Sequence, residues 1–442
     1  MNRFTKSMKY GEYIKYIMPS IMTMIFLSFY TTVDGFFVSA YAGSDALAGI
    51  NIVIPVTCII FGVAVMMATG AGAIIGEYMG MGNMKKAGEV FSGISIVLLG
   101  FSIIFSLAGI IFLRPVSEFL GASERLMEYV LPYAFVVFAG TVPMSFKLFF
   151  EYLVRTDGNS AMGLKMSATG LVLNVLLDYI FIAVFNLGTF GAALGTVLAI
   201  TTSAAMGLVY FLKKSSLKFG KPCFDVKIIF KSCTNGMSEM LTELSTGITT
   251  LLFNLIIMDK FGEDGIAAVT IIMYIYYFFI SFYMGIAVAT APVVSYNLGA
   301  ANHGRIKEIL RHSFITIGIT AVIIMAVVSY AGDMIIGLFV DSGHVYDLTS
   351  TALVYFSPVF LFIGVNVFLS GYFTALGDGI TSAVISSLRS LIFVVIFILT
   401  LPSLIGVNGV WLTMPFAEIA TIAVSIGLYR RRGRIGDKKY NG

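Results

Sequence analysis

Residues 17–41 read IMPSIMTMIFLSFYTTVDGFFVSAY, and this stretch decides the class of fold. Asp34 is its one charged residue. About 20 apolar residues in a helix cross the ~30 Å hydrocarbon core of a bilayer, so the stretch is predicted to span a membrane with Asp34 inside it. A carboxylate at that depth costs roughly 3 kcal/mol on insertion scales, so we expect it to face the interior of a helix bundle. There it either makes a structural hydrogen bond or takes part in ion or proton coupling.

The composition of the whole chain agrees with a membrane protein. Of 442 residues, 58% are hydrophobic and 12% are charged, against about 25% charged in soluble domains. The mean hydropathy is +0.93. Cys58, Cys223 and Cys233 do not have the spacing of a disulfide framework or a metal site. Because strand-like alternation is nowhere evident, and because only helices and closed barrels satisfy the backbone in lipid, we predict an all-α integral membrane protein.

Apolar segments separated by Gly, Pro, Asn or charged residues predict twelve transmembrane helices. They lie near residues 17–41, 46–76, 90–113, 129–154, 161–185, 189–212, 234–258, 265–295, 309–332, 349–374, 380–402 and 407–429.

The basic residues predict the orientation of these spans. Most of the 28 Lys and Arg residues lie in the N-terminal segment, in the even-numbered connections and in the C-terminal tail. The positive-inside rule then places both termini in the cytoplasm of a multi-pass protein of the cell (plasma) membrane. We interpret the tail Arg430–Arg434 as a flank of the last span, so no nucleic-acid partner is expected.

The two sets of six spans repeat each other. Gly43-Ser-Asp-Ala-Leu-Ala recurs as Gly262-Glu-Asp-Gly-Ile-Ala, and Gly80-Met-Gly-Asn recurs as Gly299-Ala-Ala-Asn, both at an offset of 219 residues. Six spans return the chain to its starting side, so the halves are parallel copies, an arrangement typical of secondary transporters with a path between the halves. The predicted division is 1–212 (N-terminal lobe), 213–231 (cytoplasmic linker), 232–429 (C-terminal lobe) and 430–442 (basic tail).

Three polar residues of the first half, Asp34, Asp178 and Thr196, are predicted to lie at one depth, about 10 Å below the outer surface, with Asn174 one turn deeper. Asp34 and Asp178 are each about seven residues short of the outer ends of their spans, and Thr196 is about seven residues inside its own. Asn174 lies one helical turn from Asp178 on the same face. Together they could bind Na⁺ through oxygen ligands (Asp34, Asn174 and Asp178 above all), or share a proton. They could also make unrelated hydrogen bonds between helices.

The second half lacks this set. The offset places Phe253, Phe393 and Phe397 where Asp34, Asn174 and Asp178 stand. Its own polar signature is Glu239 and Glu243, which share one helical face and are either substrate or proton groups or solvated carboxylates.

Aromatic and methionine side chains accompany these two glutamates. Tyr274 and Tyr277 offer faces that attract organic cations, at about 0.5–2 kcal/mol each. Soft residues such as Met284 tolerate varied shapes. We expect Glu243 and Glu239, with these side chains, to bind lipophilic cations.

Two further pairs of charges lie inside spans. Lys147 and Glu151 have the i, i+4 spacing of a structural ion pair. Arg389 and Glu418 either form another pair or line the path.

These residues make the chain similar to the multidrug and toxic compound extrusion (MATE) family. It resembles this family from end to end, and its bacterial MepA-like branch in particular. The matching segments are Thr32-Val-Asp34-Gly-Phe-Phe-Val, Asn174-x-x-x-Asp178, Glu239-Met-Leu-Thr-Glu243 and Ala289-Thr-Ala-Pro-Val-Val-Ser-Tyr-Asn-Leu-Gly299. The resemblance implies two six-helix lobes in a V, which alternate access and export drugs in exchange for Na⁺ or H⁺, with no other cofactor.

The resemblance also implies site residues. Family cation positions map to Asp34, Asn174, Asp178, Thr196 and Tyr133. Family acidic positions in the seventh span suggest Glu243 and Glu239 for cationic substrates or protons. We expect a monomer and a role in antibiotic resistance.

Two other functions compete with this interpretation. A flippase for lipid-linked sugars would need several Arg or Lys residues facing the cavity, to hold pyrophosphate. The spans contain more acidic than basic residues, which favours cations. A membrane enzyme is disfavoured, because His303, His312 and His344 fall in or beside loops without the spacing of a catalytic or metal site.

Overall fold

The structure is a computed structural model. It describes the backbone of residues 2–433, and the side chains of those residues except 2, 3, 30–36, 39, 40, 42, 44, 432 and 433. The side chain of Asp34 is therefore outside the described part of the chain.

Twelve membrane-length segments make up the described chain. Eight helices are long and apolar enough to cross a membrane, and two helix pairs, bent by 53° and 54°, bring the number to ten. One of the eight runs over Val226–Gly299 and breaks at Gly262 (φ 64°, ψ −153°). A straight helix of that length would measure about 110 Å, so it comprises two spans. The 33-residue helix Tyr10–Ala42 is the twelfth.

The spans are numbered in chain order. They are α1 Tyr10–Ala42, α2 Ser44–Gly80, α3 Met84–Ile111, α4 Glu124–Ala139 with Thr141–Thr156, α5 Ser160–Asp178 continued by Tyr179–Val184, α6 Gly188–Lys213, α7 226–261, α8 263–299, α9 His303–Ile336, α10 His344–Phe356 with Val359–Ala375, α11 Gly379–Ser387 continued by Leu388–Ile392 and Phe393–Ile405, and α12 Gly409–Leu428 continued by Tyr429–Gly433. Short helices Asn2–Thr5 and Leu113–Phe119 lie outside the spans.

The backbone confirms the predicted repeat. Gly43 (φ 87°) and Gly262 (φ 64°) separate the first two spans of their lobes in left-handed conformations that glycine adopts readily. The bends of α4 and α10 are nearly equal. At the start of α3, Asn83 Oδ1 accepts a hydrogen bond from Lys86 N at 3.0 Å. Asn302 caps α9 in the same way. The all-α, two-repeat fold class is therefore confirmed.

The lobes meet at the end of the bundle that carries the basic connections, here called the basic end; the opposite end is the far end. α2 crosses α8 there through glycines at equivalent positions. A Cβ atom at Gly80 would collide with the carbonyl oxygen of Tyr296, and one at Gly299 would collide with that of Glu77. These two backbones are in direct contact, so no larger residue fits at either position.

The first helix of each lobe also packs on the opposite lobe. A Cβ atom at Gly285 of α8 would collide with the backbone of Ile21 in α1, and one at Gly236 of α7 would collide with the backbone of Met66 in α2. Farther along, the rings of Phe29 and Phe278 are 5.8 Å apart. The two lobes are thus joined along the basic half of the bundle.

The N-terminal segment bridges the lobes at the same end. The carbonyl oxygen of Phe4 accepts hydrogen bonds from Asn297 Nδ2 at 3.0 Å and Arg305 Nε at 3.3 Å. The Met8 amide donates to Glu308 Oε1 at 2.9 Å. Residues that precede the first N-lobe span are therefore bound to α8 and α9 of the C-lobe.

Toward the far end, α7 leaves the interface. A Cβ atom built on Gly247 has no neighbour within 4 Å, and Ile248 and Leu251 are exposed. The lobes are in contact at the basic end and separate toward the far end.

Candidate functional site

The structure brings together the polar residues predicted in α5 and α6. Asn174 Nδ2 donates to Thr196 Oγ1 at 3.4 Å. Asn174 and Asp178 are fully buried, and Thr196 is nearly so. This contact brings Asn174 and Thr196 together, and their part in ion coupling stays a prediction.

Gly195 makes room for the carboxylate of Asp178. A Cβ atom at Gly195 would lie 2.6 Å from Asp178 Oδ1. Any side chain at residue 195 would displace the carboxylate or α6. Sequence reasoning missed this glycine, although its position beside Thr196 was the available signal.

The helix geometry changes immediately after Asp178. Residues Tyr179–Val184 form a π-helical turn, and such turns occur frequently at functional sites. A second π-helical turn, Leu388–Ile392, contains the buried Arg389 of α11. Both equivalent helices therefore widen beside a buried charged residue.

The other predicted members of the site are placed less fully. α1, which carries Asp34, packs against α5. Tyr133 of α4 is buried in the same hydrophobic cluster as Val38 of α1 and Ile182 of α5. Tyr133 therefore belongs to the hydrophobic core that packs around the polar residues of α5 and α6.

Oxygen atoms dominate this arrangement. The Asp178 carboxylate, the Asn174 amide and the Thr196 hydroxyl are hard ligands, which suit alkali cations or protons better than transition metals. Among the described side chains, no group of three or more His, Cys, Asp or Glu residues could hold a metal ion.

Glu239 lies at the seam between the lobes. With Met284 it lines a cavity of about 70 Å³. Thr69 and Tyr152 of the N-lobe and Thr374 of the C-lobe complete its wall. This volume holds a few water molecules rather than a drug.

Glu243 lies one turn farther along α7, facing α2. A Cβ atom at Gly62 would lie 3.6 Å from the Cβ of Glu243. Glu243 is partly exposed and lies within electrostatic range of Tyr277. Tyr277 is 38% exposed. The helical face that carries Glu239 and Glu243 therefore faces the N-lobe. It is enclosed at Glu239 and more exposed beyond Glu243.

Tyr274 stands apart from the two glutamates in its contacts. Its ring stacks on that of Phe339, beyond the end of α9, at 6.0 Å. The structure thus places Met284 in the same cavity wall as Glu239, and Tyr274 against Phe339 beyond the end of α9.

Two buried ion networks flank the seam. Glu151 contacts Lys147 Nζ at 2.7 Å and Arg155 Nη2 at 3.1 Å. The predicted Lys147–Glu151 pair is confirmed, and Arg155, which sequence reasoning missed, has the same i, i+4 spacing from Glu151. Tyr152, a wall residue of the cavity, carries the Arg155 guanidinium over its ring at 5.5 Å.

The second network lies in the C-lobe. Arg389 Nη1 is 3.5 Å from Glu418 Oε1, and Asn366 Nδ2 donates to Glu418 Oε2 at 2.7 Å. Asn366 was also missed, although the repeat offset relates it to Lys147. Arg389 and Glu418 therefore pair with each other.

The histidines differ partly from expectation. His312 lies inside α9 rather than beside a loop, and is buried against the rings of Tyr10 and Tyr13 at 5.6 and 5.4 Å. His344 is exposed at the start of α10, where Nδ1 is 2.7 Å from Asp264 Oδ2.

The sequence pattern of one family matches this chain twice. The MatE pattern covers residues 19–180 and again residues 239–400, one segment in each half. The chain belongs to the MatE family. MatE proteins are transporters rather than enzymes, which excludes the alternative of a membrane enzyme.

Individual relatives agree with this assignment. The chain is 26% identical over 442 residues to the multidrug export protein MepA of Staphylococcus aureus (strain NCTC 8325 / PS 47), covering 98% of this chain and 96% of the relative.

Solved structures share the fold of this MatE protein. An outward-facing MATE multidrug resistance transporter of the MOP superfamily has a TM-score of 0.92 at 20% identity, covering 99% of this chain and 98% of that one. The MATE multidrug transporter DinF-BH, solved in complex with a ligand, has a TM-score of 0.86 at 25% identity, covering 95% of each chain.

Proposed function

We propose that this MatE transporter exports lipophilic organic cations by alternating access, driven by inward movement of Na⁺ or H⁺. The observation that carries the proposal is the asymmetry between two equivalent lobes. One lobe buries Asp178 among amide and hydroxyl groups, whereas the other presents Glu239 and Glu243 to the interface. Two distinct sets of carboxylates suit two distinct cations.

The coupling ion binds in the N-lobe in this proposal. Asp178, Asn174 and Thr196 supply oxygen atoms at one depth, and Asp34 and Tyr133 complete the set. Asp178 is fully buried, so bulk water does not solvate its carboxylate. A bound cation or proton therefore stabilises this group strongly. Na⁺ and H⁺ both satisfy this requirement.

The drug binds where the lobes separate. Glu243 supplies a negative charge, and Tyr277 supplies an aromatic face that attracts cations. The small cavity at Glu239 and Met284 extends this path toward the basic end. Multidrug export, the function of the similar MepA protein, supports a broad substrate range, as does the ligand complex of the multidrug transporter DinF-BH.

The basic end faces the cytoplasm in this proposal, and the protein lies in the plasma membrane with both termini inside. The two lobes comprise residues 1–212 and 232–429, joined by the linker 213–231 and followed by the tail 430–442. A single chain contains both sites, so a monomer suffices. In the present structure the path is closed at the basic end, and drug would leave at the far end.

The flippase alternative loses its best candidates for phosphate binding. Lys147 is paired with Glu151, and Arg389 with Glu418. Lys165 is exposed on α5.

Counterflow of an ethidium-like cation in proteoliposomes tests the proposal, with Na⁺ and pH gradients imposed separately. We expect accumulation of the cation with one gradient and little with the other. Accumulation independent of both gradients, or transport of lipid-linked sugars in preference to cations, would contradict it.

A further inference from the structure

A crevice with an exposed apolar edge runs between α7 and α11 in the C-lobe. Its volume is about 370 Å³, and its wall includes Thr234 and Met237 of α7 and Gly379, Val384, Ser387 and Ile392 of α11. Its wall is apolar except for Thr234 and Ser387. It is separate from the seam between the lobes, because no lining residue is shared with the cavity at Glu239.

The crevice has the dimensions of one lipid chain. From Gly379 to Ile392 it extends about 20 Å along α11, slightly more than the ~15 Å thickness of half a hydrocarbon core. Ile380 and Ile392 are exposed at its edges, as expected for side chains that face acyl chains. At its basic end the helices touch, because a Cβ atom at Gly379 would collide with the backbone of Asn235.

Two lysines lie directly beyond this closed end. Lys227 and Lys231 are separated by one helical turn, and Lys231 is three residues before the wall residue Thr234 on the same face of α7. Both lysines are exposed. Within the described part of the chain, neither ammonium group has an ion pair. Two unpaired positive charges thus lie at the level where lipid headgroups begin.

The N-lobe lacks this pair of charges. The repeat offset relates Lys231 to Glu12 and Lys227 to Met8. Glu12 accepts a hydrogen bond from the Lys9 amide, and the Met8 amide donates to Glu308. The starts of the equivalent helices α1 and α7 therefore differ in charge.

We propose that the α7–α11 crevice binds one anionic phospholipid, with an acyl chain along α11 and the phosphate headgroup on Lys227 and Lys231. Basic residues beside a membrane each gain about 1 kcal/mol from anionic lipid, and the crevice adds burial of the chain. The wall of the crevice reaches Met237, two residues before Glu239, so the lipid fixes the helix that carries the proposed drug carboxylates. Binding of the lipid does not depend on the identity of the drug.

The test is a lipid titration of the purified full-length protein in detergent. Dioleoyl phosphatidylglycerol or dioleoyl phosphatidylcholine is added, and thermal unfolding is followed by far-ultraviolet circular dichroism. A ligand that binds the folded state raises the midpoint in a saturable way. We expect saturable stabilisation by phosphatidylglycerol, with a half-saturating concentration at least about tenfold higher in Lys227→Gln/Lys231→Gln.

Two further variants make the test specific. Val384→Trp fills the crevice from its exposed edge and should abolish saturable stabilisation while both lysines remain. Lys213→Gln/Lys214→Gln removes the same charge at the end of α6 and should leave it unchanged. Equal stabilisation by phosphatidylcholine, or equal loss in the α6 control, would show bulk lipid or surface charge effects and overturn the proposal. A Lys227→Gln/Lys231→Gln variant with wild-type affinity would overturn it as well, whether or not Val384→Trp folds.

Discussion

The two lobes repeat each other in backbone and differ in buried charge. The pairs Gly43 and Gly262, or Gly80 and Gly299, have the same role in each lobe: they allow a reversal or a close crossing that another residue would obstruct. Asp178, by contrast, is replaced by Phe397 at the equivalent position. The repeat therefore preserves the geometry of the crossings but not the buried carboxylate, which is why we propose that coupling and recognition lie in different lobes.

The same contrast appears at the far end on a smaller scale. Arg125 Nη1 lies 3.4 Å from Asp45 Oδ2 in the N-lobe. The equivalent pair in the C-lobe is His344 and Asp264, at 2.7 Å. One contact joins the same two helices in both lobes, but its basic residue is an arginine in one lobe and a histidine in the other.

The largest predicted effect concerns the carboxylate that only the N-lobe contains. Asp178→Asn should abolish gradient-driven export while the protein remains folded, because the amide has the same shape and cannot carry the coupling charge. Phe397→Leu, at the equivalent C-lobe position, should leave export nearly unchanged. Export from proteoliposomes at matched reconstitution measures both. Normal export by Asp178→Asn would contradict the proposal that the N-lobe couples the ion.

The next effect concerns the ion network of α4. Glu151→Gln would leave Lys147 and Arg155 without their buried partner, a change that costs about 3–5 kcal/mol of unfolding free energy. Ser370→Ala at the equivalent C-lobe position removes one hydroxyl from a serine cluster and should cost about 1 kcal/mol. Denaturant unfolding in detergent compares the two. Equal losses would mean that the Glu151 network is solvated.

A third prediction tests the repeat at the crossing of α2 and α8. Gly80→Ala and Gly299→Ala should each force the helices apart and favour opening at the basic end, to a similar extent. A cysteine introduced at Thr156 in the cavity wall should then react faster with an impermeant thiol reagent from that side. Gly318→Ala, where a Cβ has no neighbour within 4 Å, is the control. Unchanged labelling in both crossing variants would contradict the close contact.

The smallest effect belongs to the far-end pairs. Exposed ion pairs contribute less than about 1 kcal/mol. His344 and Asp264 are both largely exposed, so Asp264→Asn should lower the free energy of unfolding by less than about 1 kcal/mol. Asp45→Asn, which removes the partner of Arg125, should have a similarly small effect in denaturant unfolding in detergent. A loss of several kcal/mol in either variant would contradict this, because it would mean that the pair is shielded from water.

Much of this architecture was predictable because membrane insertion restricts what a sequence can do. The twelve spans follow from hydropathy, and the repeat follows from glycines such as Gly43 and Gly262 at one offset. The similar depth of Asp178 and Thr196 was predicted from helical rise alone. Depth is one coordinate, however, and it does not specify rotation about the helix axis.

The residues that were missed show this limit. Gly195 matters because of a clash with Asp178 across two helices, a contact that no local pattern encodes. The pairing of Asn366 with Glu418 depends on the packing of α10 on α12. Tyr274 was grouped with Tyr277 by spacing along α8, yet its ring reaches Phe339. In each case the deciding fact is the neighbour supplied by another helix.

The central claim is that the N-lobe carboxylate couples the ion and the seam glutamate recognises the drug. Binding of an ethidium-like cation and its gradient-driven export should be measured on the same preparations of Asp178→Asn and Glu243→Gln. We predict that Asp178→Asn binds the cation as wild type does but does not respond to a Na⁺ or pH gradient. Relative to wild type, Glu243→Gln should lose more affinity for cations than for neutral drugs. Its export should still respond to the gradient. Loss of binding and of gradient response together in both variants would contradict the claim, because a single shared site would then serve both cations.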